Sequence, residues 1–179
     1  MPTVIVLLAD GFEEIETFVP VDLLRRAEIE VTVASLNENR HATGRSGITA
    51  HADLALSSVL GKLVDLLFLP GGAGVKNLRA DPRVREIVLR HHAADRWLAA
   101  ICAAPTVLND CGLLTGKRYT AHFSVADELP AILADEHVVT DGKITTSRGA
   151  GTAMEFGMHL VTLLTTPTKS VEISKAICL

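Results

Sequence analysis

"RWLAAICAAPTVLNDCGLL" (residues 96–114) decides the fold. Arg96–Cys102 is a short apolar run that reads as a buried strand, and Ala104–Leu114 reads as a helix ending near Gly112. The same step from strand to helix recurs along the chain. "TVIVLLA" (3–9) is a strand, and "EEIETFVPVDLLRRA" (13–27) a helix with Ile15, Phe18, Val19 and Leu23 on one face. Pro20 falls inside that helix and predicts a kink or local strain. "EVTVASL" (30–36) and "LVDLLFLPGG" (63–72) are further strands, "GITAHADL" (47–54) is a strand or hairpin arm, and "PRVREIVLRHHAAD" (82–95) is a helix. "HVVTDGKITTS" (137–147) signals a hairpin turning at Asp141–Gly142. "GTAMEFGMHLVTLL" (151–164) reads as a largely buried helix with Met154, Phe156 and Met158 in the core, and residues 168–179 as a last short helix. Buried strands alternating with helices predict an α/β fold, a mostly parallel sheet covered on both faces. No repeat or linker interrupts the pattern, so one domain is expected over residues 1–179.

Composition narrows the function classes. The 179 residues are 48% hydrophobic with a net charge of −4 and no long basic run, so no electrostatic footprint for nucleic acid is present. The N-terminus lacks a basic segment before its very short apolar run, which argues against a signal peptide or membrane span. Three cysteines without scaffold spacing, and no C-x-x-C or H-E-x-x-H, point to reduced thiols, a cytoplasmic location and no metal.

Ligands of open α/β sheets collect at the carboxyl ends of the strands. Three segments fall there. In "AAICAAP" (99–105), Cys102 stands between a strand and a helix with Ala100 and Ala104 two positions away, the small flanks that a crowded nucleophile elbow requires. A buried filler thiol is the competing reading. In "LPGGAG" (69–74), Gly71 and Gly72 are either a tight turn or, if Cys102 reacts, the backbone donors for an oxyanion. In "DGFEEIE" (10–16), Asp10 and Glu13 fit a capping box and Glu14 a solvated position, while Glu16 has no capping duty and is free to face Cys102. A carboxyl and a thiol in one dry site would share a proton rather than hold two negative charges. Among seven histidines, His122 in "YTAHFS" (119–124) is the best placed base, with Asp127 the nearest acid in sequence.

Taken together, "GFEEIETFVPVDLLRRA", "LPGG", "AAICAAP", "TAH" and "ITTSRGAGTAMEFG" appear in an order that resembles the ThiJ/PfpI superfamily, in the clade of the parkinsonism-associated deglycase and bacterial YajL-like proteins. The resemblance spans nearly the whole chain. It implies a flavodoxin-like three-layer α/β/α sandwich with a cysteine nucleophile elbow, and a homodimer. It further implies an oxidation-sensitive Cys102 with Glu16 as its protonated hydrogen-bond partner, and a pocket completed by backbone groups of Gly71, Gly72 and Ala103. His122 matches the family histidine, Arg45 an arginine that the neighbouring subunit brings to the site, and Arg148 the arginine of the late S-R-G. The activity implied is that of a cofactor-free glyoxalase III-like lyase, or a glycation-repair hydrolase, acting on small aldehydes such as methylglyoxal. A redox-responsive protector or chaperone, or a PfpI-type peptidase or amidase, are the alternatives. Two departures stand out: Phe123 follows His122 where the clade often has proline, and the C-terminal segment is short.

Overall fold

The computed structural model describes residues 1–179. Its centre is a seven-stranded sheet in the order β5-β2-β1-β6-β7-β9-β8, formed by β1 (Thr3–Leu8), β2 (Glu30–Ser35), β5 (Leu54–Ala55), β6 (Leu66–Leu69), β7 (Trp97–Ile101), β8 (Val138–Asp141) and β9 (Ile144–Ser147). Every pairing is parallel except the β8–β9 hairpin, which turns at Gly142 with φ +60°. A separate antiparallel ribbon joins β3 (His41–Thr43) to β4 (Thr49–His51). This is the flavodoxin-like sandwich.

Strand parity explains the layers, because successive side chains point to opposite faces. Val4, Val6, Leu8, Phe68, Ala99 and Ile101 pack on one side with residues of α1 (Glu14–Arg26) and α5 (Ala153–Leu164). Ile5, Leu7, Leu67, Leu69, Leu98 and Ala100 pack on the other with α2 (Val75–Ala80), α3 (Pro82–Ala93) and α4 (Pro105–Asp110). The final helix, α6 (Pro167–Ala176), packs against α5.

Four local expectations are corrected. In α1 the buried set is Glu16, Thr17, Pro20, Val21, Leu23 and Leu24, whereas Ile15 is 50% and Phe18 36% exposed. The helix carries apolar residues on two faces, and only one meets α5. Pro20 lies inside the helix, which runs on to Arg26, at the crossing where a methyl group on Gly157 of α5 would lie 3.0 Å from the Pro20 Cα. The α1 cap is Glu13, whose Oε2 accepts the Glu16 N–H at 2.7 Å. Asp10 instead accepts from the Thr43 N–H (2.8 Å) and Asn37 Nδ2 (2.9 Å), tying the β1 end to the ribbon. Glu14 is not simply solvated, since its Oε1 accepts the Ser46 N–H at 2.9 Å. In α5, Phe156 is fully buried but Met154 is exposed, because Met154 lies on the face turned from the sheet.

Candidate active site

The loops after β1, β6 and β7 meet at the carboxyl edge of the sheet. Cys102 follows the last residue of β7 in the left-handed region, φ +66°, which is unfavourable for a side chain with a Cβ. Two hydrogen bonds impose it: the Cys102 N–H donates to Ser147 O of β9 at 2.9 Å, and its carbonyl accepts the His122 N–H at 2.8 Å. Ala100 and Ala104 are completely buried beneath the turn. The strain lifts a half-buried thiol above the strand ends.

The loop after β6 closes one wall. Gly72 adopts φ +91°, and a methyl group there would fall 2.6 Å from both Glu13 N and Gly11 O. Gly71 is hemmed in more tightly, since its absent Cβ would overlap Glu16 Oε2, Cys102 Cβ and Ile101 O. Backbone N–H groups of Gly72 and Ala103 face the Cys102 sulfur.

Glu16, only 2% exposed, is carried here by the first turn of α1. Its carboxyl lies against the Cys102 side chain and faces the N–H groups of Ala150 and Gly71, while Oε2 has no hydrogen-bond partner. Burial, chiefly, raises its pKa from 4.5 to about 7. Burial and then the Glu16 charge push the Cys102 thiol up to about 12. The second of these causes vanishes when Glu16 holds a proton, so the two groups titrate as one pair that resists a double negative charge.

His122 stands beside this pair. Three side chains converge on Gly149, where an added methyl group would lie 3.4 Å from His122 Cδ2, 3.7 Å from Glu16 Oε1 and 4.0 Å from Cys102 Sγ. The His122 Nδ1 accepts the Ser124 N–H at 3.2 Å and lies 2.8 Å from Ser124 Oγ, so its ring is oriented by a serine and not by Asp127 or another carboxylate. Arg148 is exposed and, with His122, Phe123, His137 and Thr152, lines a cavity of about 520 Å³ that opens beside the site. Arg45 is exposed on the β3–β4 turn, its backbone N–H held by Phe12 O at 2.8 Å, and its guanidinium makes no hydrogen bond or ion pair within the chain. A larger cavity, about 610 Å³, opens at Asn37, Asn77 and Arg83 without Cys102 or Glu16 in its wall. No cluster of three or more His, Cys, Asp or Glu side chains that could hold a metal is present.

Sequence reasoning missed Gly149 and Ala150. The signal was the glycine following Arg148 in "SRGAG", whose side-chain-free backbone leaves room for three functional groups at once.

Fold and site therefore define a flavodoxin-like α/β protein with a strained cysteine elbow paired to a buried carboxyl. The comparisons give the family: residues 2–163 match the model of the DJ-1/PfpI family, and the chain belongs to it. It is 36% identical to protein dj-1beta of Drosophila melanogaster over 177 residues, 97% of this chain and 95% of that one. It is 33% identical to the glutathione-independent glyoxalase DJR-1.2 of Caenorhabditis elegans over 178 residues, 98% of this chain and 95% of that one. Among solved structures, Drosophila melanogaster DJ-1beta superposes with a TM-score of 0.96 at 35% identity, covering 99% of this chain and 98% of that one. The oxidized DJ-1 of Toxoplasma gondii superposes with a TM-score of 0.94 at 31% identity and the same coverage. No helix is long and apolar enough to cross a membrane.

Proposed function

We propose that the protein is a cofactor-free, cysteine-dependent glyoxalase-type enzyme that converts small dicarbonyls such as methylglyoxal to hydroxy acids. The observation carrying this reading is the buried pairing of Glu16 with the Cys102 thiol at the elbow. Membership of the DJ-1/PfpI family and the resemblance to a glyoxalase support it.

In this reading Cys102 Sγ adds to the aldehyde carbon, and the carbonyl oxygen takes up a proton to give a hemithioacetal. The Glu16 carboxylate then removes the C1 proton and, as the acid, returns it to C2 through an enediol. The resulting thioester is attacked by water, which releases lactate from methylglyoxal and restores the thiol. Electron pairs balance without an external oxidant or reductant. Backbone N–H groups of Gly72 and Ala103 are positioned to steady charge at sulfur or at the adjacent oxygen. A carboxyl with a pKa near neutrality suits both halves of the shuttle.

We assign Arg148 to the substrate mouth, on its place in the cavity beside His122. Arg45 is assigned to the same mouth across a homodimer, a reading supported by the exposed Ile15, Phe18 and Ile48 near the β3–β4 turn. Glycation repair by the same thiol is a variant of this chemistry. The absence of a carboxylate partner for His122 weighs against a peptidase or amidase. A redox-responsive protector draws support from the oxidized Toxoplasma gondii relative, since the N–H groups facing sulfur would also steady a sulfinate.

Purified protein supplied with methylglyoxal is expected to form lactate, and Cys102→Ala to form none above the uncatalysed rate. Turnover equal in the two proteins would overturn the enzymatic reading.

A further inference from the structure

A second chemically distinct feature lies outside the site, on the β3–β4 ribbon. His41 and His51 are directly opposite each other in its register. The ladder bonds run from the Ala52 N–H to Arg40 O at 2.7 Å and from the Gly44 N–H to Ile48 O at 2.9 Å. Those bonds place the His41–His51 pair at a non-hydrogen-bonded position, where opposed side chains come closest, with Cα atoms typically about 4.5 Å apart. The two imidazoles meet edge to face with centroids 4.7 Å apart and planes at 84°. Both residues are exposed, and neither ring makes a hydrogen bond to the protein.

The backbone beneath them is held firmly. The His41 N–H donates to Asn39 Oδ1 at 2.9 Å, and Asn37 Nδ2 donates to His41 O at 2.8 Å. Ala42, between the strand ends, is buried, and the neighbouring Thr43 and Thr49 hydroxyls lie 2.9 Å apart. The spacing of the rings is therefore a property of the ribbon and not of a flexible loop.

That spacing suits one function. A metal–imidazole bond is about 2.0–2.1 Å, and adding about 1.1 Å from nitrogen to ring centre puts two coordinated rings about 4.5 Å apart at 90° and about 5.2 Å apart at a tetrahedral angle. The observed 4.7 Å falls between these values, so the rings need only turn in place. We propose that His41 and His51 form a two-imidazole chelating site for a late first-row divalent cation, Cu²⁺ above all. With no third His, Cys, Asp or Glu grouped with them, the remaining coordination positions go to solvent or to an exogenous ligand. Such a site captures metal reversibly, and copper heads the affinity order for nitrogen donors.

Cu²⁺–iminodiacetate is the probe, because it leaves adjacent positions that two imidazoles fill and one cannot. The full chain is expected to bind one equivalent by calorimetry, with an electron paramagnetic resonance spectrum showing two imidazole nitrogens. His41→Gln and His51→Gln should each weaken binding at least tenfold, and His92→Gln, at another exposed histidine, should leave it unchanged. Both test positions are exposed and lose no protein hydrogen bond, and thermal unfolding of the metal-free variants should match the parent. Binding within twofold of the parent in either ribbon variant, or a one-nitrogen spectrum in the parent, would overturn the proposal. Lactate formation is a separate readout and is expected to be the same in all three variants.

Discussion

Gly71 and Cys102 approach so closely that a methyl group on Gly71 would lie 2.5 Å from the Cys102 Cβ. The same group would meet Ile101 O at 2.8 Å and overlap Glu16 Oε2, so neither the backbone of β7 nor the Cys102–Glu16 pair has room for it. Gly71→Ala is expected to cost about 1–3 kcal/mol of stability by overpacking. Displacement of the elbow should lower kcat/KM for methylglyoxal by about 100-fold or more, the penalty of an ångström-scale misplacement. Denaturant unfolding and steady-state kinetics on the one variant check both effects. A fully active, fully stable Gly71→Ala protein would mean that the site tolerates a shift its contacts forbid.

If Glu16 and Cys102 share a proton, the pair has a kinetic signature. At pH 6, below the value of about 7 to which burial raises Glu16, the carboxyl is neutral, and in the proposed mechanism it donates to the sulfur and favours thiolate. Glu16→Leu should therefore slow iodoacetamide alkylation of Cys102 at pH 6. Glu16→Gln, which keeps an N–H donor, should slow it less. Unchanged or faster alkylation in Glu16→Leu would place the charge on the carboxylate instead.

Glu16 also makes stability depend on pH. Its native pKa, about 7, lies above the ordinary 4.5, so the folded state holds this proton when the unfolded chain has released it. The contribution is fully present below pH 4.5, declines as pH rises towards 7, and is flat beyond. The loss across that window is on the order of 3 kcal/mol if the shift is fully expressed. Urea unfolding at pH 4.5 and pH 8 should show the native protein losing more stability than Glu16→Gln. Equal losses would show that Glu16 titrates alike in both states.

The orientation of His122 by Ser124, without a carboxylate, separates its role from that of Glu16. If Glu16 moves the proton between carbons, Glu16→Gln should reduce kcat by about 10²–10⁴-fold, the usual worth of a general acid–base. His122→Gln should cost about tenfold or less, well under the usual span for such a group. The reverse ranking would transfer the shuttle to the histidine.

Local sequence pattern determined much of the molecule. Short apolar runs, the Asp141–Gly142 turn and the period-3.6 segments gave β1, β2, β6, β7, the β8–β9 hairpin and the long helices within a few residues, because those patterns answer to local geometry. The cysteine elbow was legible for the same reason: a left-handed turn between a strand and a helix demands the small flanks that Ala100 and Ala104 supply. The exposed faces of α1 were not. Ile15 and Phe18 carry the same apolar character as Val21 and Leu24, and only the crossing with Gly157 of α5 decides which side is buried. Nor does a local pattern distinguish Glu13 from Asp10 as the cap, since Asp10 is drawn off by Thr43 of the ribbon and by Asn37 after β2. The meeting of Glu16, Cys102 and His122 around Gly149 belongs to tertiary structure alone. Residues far apart in the chain become neighbours because β1, β6, β7 and β9 lie side by side in parallel and end at one edge. Sequence chose the candidate groups, and the order of the strands brought them within reach of one another.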